Sequence, residues 1–341
     1  MRLKEFTIEV DGITLKGRAY LPGLEPERED WKKKPLLILC HGIPRSEPSP
    51  GEMKPREIEL RRDPEHVHER EYADGRELGH RHDYVDGQER DRGRGQGSEQ
   101  EVEREREQEP VADGGYPALA ERCFAEGFPC SHFNFRGTGE SGGNFDLKGW
   151  TRDLRGVLDY WEQKELHQGG FYLWGFSAGA AVSCCVTAVD PRVKGVILAA
   201  SPAEFKSFFP RENLPAILDR FRETGLFRDP SFPAEPESWL EEIYAVNPLN
   251  EIHKIAPRPL LLIHGTGDDV VPYEHAQKLN EAVEAKRRAE GMEAQQASAG
   301  ENKLFLTLPD AAHQLRKDPE AVSKCLDWLK DIKDIKEIKG V

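Results

Sequence analysis

Five residues, Gly175-Phe176-Ser177-Ala178-Gly179, set a serine between two glycines in the pattern G-x-S-x-G. Such a serine suits a strained strand-to-helix turn that holds its Oγ out above a sheet. Glycines two before and two after remove the Cβ atoms that would clash there. A helix starting at the serine aims its first N–H groups at a developing oxyanion. A serine hydroxyl alone is a poor nucleophile at neutral pH. It needs an adjacent base, and that base needs a carboxylate to orient it. The chain order for this kind of turn is serine, acid, histidine. Asp268 in LLLIHGTGDDVVP and His313 in LTLPDAAHQL follow in that order, each in a loop after a strand-like run. The set predicts acyl transfer. Ser177 attacks a carbonyl, His313 moves the proton, and Asp268 holds His313 in one tautomer.

Asp268 and Asp269 are adjacent, so only one can face His313. Gly265 and Gly267 let the loop turn sharply after its strand, which favours the first acid. Asp269 then faces solvent or caps the helix near Tyr273. His41-Gly42-Ile43-Pro44 follows the apolar run PLLILC. Its Ile43 N–H can pair with the Ala178 N–H to form an oxyanion hole. His41 reads as a loop anchor, and His264 as a packed or loop-fixing histidine. RGTGESGG, at 136–143, lacks the GxxxxGK[ST] spacing of a phosphate-binding loop and is not followed directly by a helix. It reads as a turn.

Strands and helices must deliver these residues to one edge. EFTIEV and ITLKGRAYL alternate around Asp11-Gly12, a hairpin signal. PLLILC is a continuous apolar run, suited to a strand buried on both faces, and FYLW reads as a buried strand; PCSHFNF, VKGVILAA, PLLLIHG and KLFLTL read as further strands. Helical spacing lies between them, in PALAERCFAEGF, GWTRDLRGVLDYWEQKEL, AGAAVSCCVTAV, Tyr273–Glu290 and Pro319–Lys330 with the tail beyond. Alternating strands and helices imply an α/β fold, a mostly parallel sheet with helices on both faces. Loops leaving the carboxyl ends of its strands then carry Ser177, Asp268 and His313. Residues 202–256 interrupt this alternation, with helical pieces near Leu214–Thr224 and Ser238–Val246. They read as a small cap. Its Phe205, Phe208, Phe209, Leu214, Phe221, Phe227 and Trp239 either line an acyl pocket or form the cap's own core.

Residues 45–113 differ in kind. RDRGRGQGSEQ and EVEREREQE mix charges of both signs in low-complexity sequence. Such a tract cannot bury enough apolar surface to offset its ordering entropy. The expectation is a disordered insertion, with a short charged helix around Glu99–Gln108. Its pairs His66/His68 and His80/His82 have no cysteine partner and read as solvated histidines rather than a metal site. The domain reading is one α/β body at 1–44 and 114–341, interrupted by this insertion.

The 341 residues carry 48 Lys and Arg against 62 Asp and Glu, a net charge of −14. Counterion release on DNA or RNA gives such a surface nothing, so nucleic acid is not an expected partner. There is no apolar run long enough for a membrane span. MRLKEFTIEV lacks a signal peptide's apolar core, so the expected location is the cytoplasm. Six scattered cysteines without a Cys-x-x-Cys pair read as buried free thiols.

HGIP at 41–44, FRGTGESGG at 135–143, GFSAG at 175–179, IHGTGDDVVP at 263–272 and the AAH ending at His313 together resemble the α/β-hydrolase superfamily. Within it they are similar to the serine esterase and dienelactone-hydrolase-like group. The resemblance covers nearly the whole chain except about 45–113. That group runs directly from the HG loop into the helix beginning near Tyr116, and here the charged insertion intervenes. A glycine common before the histidine is replaced by Asp310-Ala-Ala. The resemblance implies a fold of that superfamily and a pattern H-G-x-x-D-x-x-V-P in which Asp268 is the acid. The expected activity is cleavage of a small-molecule carboxylic ester by Ser177, His313 and Asp268 through an acyl-enzyme. Ile43 and Ala178 supply the oxyanion hole, and no metal or organic cofactor is needed. Thioester or short-peptide hydrolysis is the alternative within enzymes, though no N-terminal propeller restricts access. A non-catalytic binding module is the alternative outside them, but a binder has no need of the whole set.

Overall fold

β1 (Arg2–Val10) and β2 (Ile13–Leu21) form the hairpin, paired antiparallel from Arg2 opposite Leu21 to Val10 opposite Ile13. Asp11 and Gly12 make the turn with φ of 54° and 73°, the left-handed values that an Asp-Gly pair tolerates. The structure, a computed structural model, describes residues 1–23, 34–44, 115–164, 169–289 and 303–332. The charged stretch 45–113 lies outside the described residues. So do the helix expected around Glu99–Gln108, the two His-x-His pairs and the tail beyond Ile332.

β3 (Leu36–Cys40) explains why its sequence is apolar without a break. Leu36, Ile38 and Cys40 enter one hydrophobic core, and Leu37 and Leu39 enter a second. Successive side chains of a strand point to opposite faces, so both faces are covered. β5 (Phe171–Phe176) divides the same way, Phe171 and Leu173 against Tyr172, Trp174 and Phe176. With β4 (Cys130–Phe133), β6 (Val193–Ala199), β7 (Leu260–Gly265) and β8 (Lys303–Leu308), the eight-stranded sheet has the order β1-β2-β4-β3-β5-β6-β7-β8. β2 meets β4 antiparallel. Every pairing from β4 through β8 is parallel.

Helices cover both faces. α1 (Tyr116–Ala125) and α8 (Pro319–Asp331) bury their apolar stripes in one core. α2 (Leu147–Gln163), α3 (Ala178–Val189) and α7 (Glu274–Ala289) bury theirs in the other. α2 begins two residues before Gly149 because Asp146 caps it, accepting the Gly149 N–H at 2.9 Å.

Residues 202–256 carry α4 (Leu214–Glu223), α5 (Pro236–Ala245) and the short α6 (Pro248–Glu251). Their aromatics pack on one another and on the sheet face under α2 and α3. Phe221 lies 5.8 Å from Trp239, 5.3 Å from Phe227 and 5.0 Å from Phe145, ring centre to ring centre. Phe205, Phe209, Phe221, Phe227 and Trp239 are buried in that core; Phe208 is half-buried. Arg228 ties the segment to the 136–143 turn. Its backbone N–H donates to Asn144 at 2.8 Å, and its guanidinium donates to the carbonyls of Gly139 and Ser141.

Candidate active site

Ser177 stands between β5 and α3 with φ 54° and ψ −127°. That region is costly for any residue with a Cβ, so the turn stores strain. The glycines around it have no room for a side chain. A Cβ on Gly175 would lie 2.4 Å from the Ala180 Cα, and one on Gly179 would lie 2.3 Å from the His41 carbonyl oxygen. The strand, the serine turn and the HG loop are thus pressed together. Ala178 follows Ser177 as the first residue of α3. Ile43 follows Gly42, whose added Cβ would reach within 3.3 Å of Ser177 Oγ. Ser177, Ala178 and the Gly42-Ile43 segment are therefore neighbours. The Ser177 N–H donates to the Ala199 carbonyl at 2.9 Å, which fixes the turn to β6.

His41 anchors the HG loop. Its Nδ1 is 2.6 Å from the Gly42 carbonyl, an acceptor, so Nδ1 carries the proton. Its Nε2 accepts the Phe135 N–H at 3.1 Å. Burial holds its pKa down to about 4, so the ring is neutral at neutral pH. The turn at 136–143 is anchored in turn by Arg136. The buried Asp153 takes the Arg136 backbone N–H at 2.9 Å and its guanidinium at 2.7 and 2.9 Å. Nothing in the local sequence marks this pair, because Asp153 reads only as one polar position of an amphipathic helix.

The other half of the site comes from the loops after β7 and β8. Asp268 is buried and Asp269 is exposed. His313 Nδ1 lies 2.8 Å from Asp268 Oδ2 and 3.1 Å from Oδ1. Oδ1 also accepts the N–H groups of Val270 and Val271, each at 2.9 Å. Burial pushes the Asp268 pKa up. Hydrogen bonds from His264, His313 and Val271 outweigh it and hold the carboxyl well below its ordinary range. Asp268 is thus an anion at neutral pH. The two loops interlock at glycines, since a Cβ on Gly265 would lie 1.9 Å from the Ala311 carbonyl oxygen. Asp310 takes φ 55° and donates its N–H to the Thr266 hydroxyl at 2.9 Å. Aspartate tolerates that left-handed backbone better than most residues do.

Ser177, Asp268 and His313 all stand past the carboxyl ends of parallel strands. Hydrogen bonds bring Asp268 and His313 together, and close packing brings Ser177 to Gly42. Two other groups take no part. Burial pushes the Cys40 and Cys185 thiols up to about 12, so neither is a nucleophile at neutral pH. Among the described residues no cluster of three or more His, Cys, Asp or Glu could hold a metal ion. No helix among them is long and apolar enough to cross a membrane.

This sheet order, with a serine turn after β5, defines an α/β-hydrolase fold. The chain belongs to the prolyl oligopeptidase family, whose model matches residues 120–334. Among curated proteins it is similar to the uncharacterized protein YfhR of Escherichia coli K12, at 26% identity over 159 residues, 46% of this chain and 48% of that protein. It is also similar to the human mitochondrial palmitoyl-protein thioesterase ABHD10, at 25% identity over 183 residues, 49% of this chain and 56% of that protein. The match thus spans about half the length of these curated relatives. Two solved structures share the fold. Est1E from Butyrivibrio proteoclasticus, with ferulic acid bound, has a TM-score of 0.53 at 17% identity and covers 95% of this chain and 97% of its own. The Pyrococcus furiosus esterase Pf2001 has a TM-score of 0.55 at 17% identity, covering 96% of this chain and 92% of its own.

Proposed function

We propose that the protein is a serine hydrolase that cleaves small-molecule carboxylic esters. Ser177 Oγ attacks the ester carbonyl while His313 Nε2 takes its proton. The N–H groups of Ile43 and Ala178 stabilise the tetrahedral oxyanion. The intermediate collapses, His313 returns the proton to the leaving alcohol, and an acyl-Ser177 ester remains. Water, deprotonated by His313, then releases the acid and regenerates the serine. Asp268 holds the Nδ1–H tautomer of His313 and stabilises the imidazolium as it forms. No step needs a metal or an organic cofactor.

The observation that carries this reading is Ser177 itself. A residue with a Cβ sits at φ 54° and ψ −127°, on the sheet edge that also bears a buried carboxylate bonded to a histidine. Strain of this kind persists only where the surroundings over-determine it, and it clusters at reactive sites. Fold neighbours described as esterases support the same reaction class.

Two other acyl groups have specific support. The similarity to a palmitoyl-protein thioesterase favours a thioester, and the family's name favours a peptide. The chemistry differs only in the leaving group. The test is labelling with a fluorophosphonate probe, followed by rates on p-nitrophenyl esters of graded acyl length, acyl thioesters and peptide p-nitroanilides. Labelling at Ser177 with ester turnover fastest is the expected result. Absence of labelling, with all three substrate classes inert, rejects the hydrolase reading in favour of a binding module.

A further inference from the structure

His264 is the penultimate residue of β7 and is 1% exposed. Its Nε2 lies 2.8 Å from the Val271 carbonyl oxygen, an acceptor only, so Nε2 carries the proton. The same nitrogen lies 3.3 Å from Oδ2 of Asp268. The two oxygens of Asp268 therefore differ. Oδ1 is held by the Val270 and Val271 N–H groups. Oδ2, the oxygen nearer His313 Nδ1, faces a second imidazole instead.

We propose that His264 is a positioning residue for the reaction: its Nε2–H, shared between Val271 and Asp268 Oδ2, fixes how the carboxylate meets His313. This rests on the roles given to Ser177, His313 and Asp268 above. A donor on Oδ2 favours the ionised carboxylate and lowers its basicity. Without it Oδ2 becomes more basic and holds the His313 imidazolium more tightly. His313 then stays protonated to higher pH, and the carboxylate is left with one fixed oxygen.

The groups facing His264 are few. Asp268 comes from its own loop, and His313 lies across that carboxylate. The Tyr273 ring centre is 6.0 Å away. His275, on α7, is close enough to interact electrostatically. Its Nδ1 accepts the Ala203 N–H at 3.1 Å, and burial holds its pKa below the ordinary value. His275 is thus neutral at neutral pH and does not compete with Asp268 for influence on His264.

The test is the rate of fluorophosphonate labelling of Ser177 against pH, in wild type, His264→Phe and His264→Gln. Phenylalanine fills the ring volume without a donor, whereas glutamine keeps an N–H in reach. In His264→Phe the acid limb is expected to rise by about half a pH unit or more, with a labelling plateau about tenfold lower. His264→Gln is expected to restore the limb to within about 0.2 units. An acid limb that is unmoved or lower in the Phe variant overturns the proposal. So does equal behaviour of the two variants, which is what a purely packing role gives. Should the Phe variant not fold, nitrogen-detected NMR of the histidine rings decides: the His264 Nε2–H signal shifts in Asp268→Asn if the contact exists, and its constancy rejects it. Failure of the underlying reading looks different, because wild type itself would then not label.

Discussion

Gly42 lies so close to Ser177 that a Cβ built on it would sit 2.8 Å from the serine Cβ. The contact joins the HG loop to the serine turn, two segments far apart in sequence. In the proposed mechanism it sets where the Ile43 N–H stands relative to Ser177 Oγ. Gly42→Ala must push these segments apart by several tenths of an ångström. The expected outcome is a fall in kcat of about a hundredfold, as for loss of one oxyanion donor, with KM changed little. Steady-state kinetics on a p-nitrophenyl ester measures it. A kcat near that of wild type would separate the HG loop from catalysis.

Ser177 carries a second, opposite pair of expectations. Ser177→Ala should remove nearly all activity, a loss on the order of a thousandfold or more. Alanine keeps the Cβ and with it the strain at φ 54°. Glycine relieves that strain, worth about 1–3 kcal/mol, though it gives back about 0.5–1 kcal/mol in unfolded-chain entropy. Ser177→Gly should therefore be as inactive as Ser177→Ala and melt at a higher temperature. Scanning calorimetry on both variants checks the order, and a lower midpoint for the glycine variant would remove the strain argument.

Most of the site's backbone was legible in the sequence, because period and steric need leave marks there. Gly175 and Gly179 are read as room for close approach, and the neighbouring main chain occupies that room. The run LLILC predicts two covered faces, and its side chains divide between two cores. Long-range polar pairing leaves no such mark. His264, on β7, and Asp268, in the loop after it, are four residues apart, a spacing that implies nothing across a strand end, and their meeting depends on how the chain turns at Gly265 and Gly267. Arg136, Asp11 and the pair Asp146 and Asp153 come from three different segments, the last two from the start and the body of α2. The aromatic residues of 202–256 were equally ambiguous, since a pocket lining and a small core demand the same residue types.

That Arg136 network has a measurable weight. Asp153 is fully buried, and it is the closest partner of a guanidinium that is 5% exposed. Asp153→Ala leaves this charge with Asp11 and Asp146 alone, and should cost about 3 kcal/mol or more. Arg152 makes its own pairs with Asp11 and Asp146 at the surface, 42% exposed, and Arg152→Ala should cost under about 1 kcal/mol. Urea denaturation at pH 7.5 distinguishes the two. Equal losses would mean that the buried pair adds nothing beyond a surface one.

His132 gives a pH dependence of stability that does not involve Ser177, Asp268 or His313. It lies on β4 against Tyr20, and its buried Nε2 has no hydrogen bond. Burial, reinforced by the Arg18 charge, holds its pKa at about 4, against 6.5 for a free histidine. As pH falls below 6.5 the unfolded chain binds a proton that the folded chain refuses. Stability therefore drops between about pH 6.5 and 4. His41, also held at about 4, contributes with the same sign. His132→Phe removes the first contribution and leaves the second. Its stability relative to wild type should rise by up to about 2 kcal/mol between pH 8 and pH 5. Urea midpoints at both pH values measure the change, and parallel curves would reject it.

The sharpest discrimination is between two neighbouring acids. Asp268 is buried with His313 Nδ1 at 2.8 Å, while Asp269 points into solvent. Asp268→Asn keeps the volume but offers His313 an amide N–H or a carbonyl in place of an anion. Where the amide N–H faces the ring, it favours the tautomer with the proton on Nε2. That leaves no base for Ser177. Such a change costs up to about 10⁴-fold in kcat. The same substitution also removes an anion that His264 and His313 stabilise below its ordinary pKa. That stabilisation is present above about pH 4 and is lost as pH falls through the depressed value. The wild type should therefore lose its stability advantage over Asp268→Asn on acidification below about pH 4. Asp269→Asn should lower kcat by less than about tenfold. Both variants, matched for folding by circular dichroism, are compared on one ester. The reverse ranking would transfer the orienting role to Asp269.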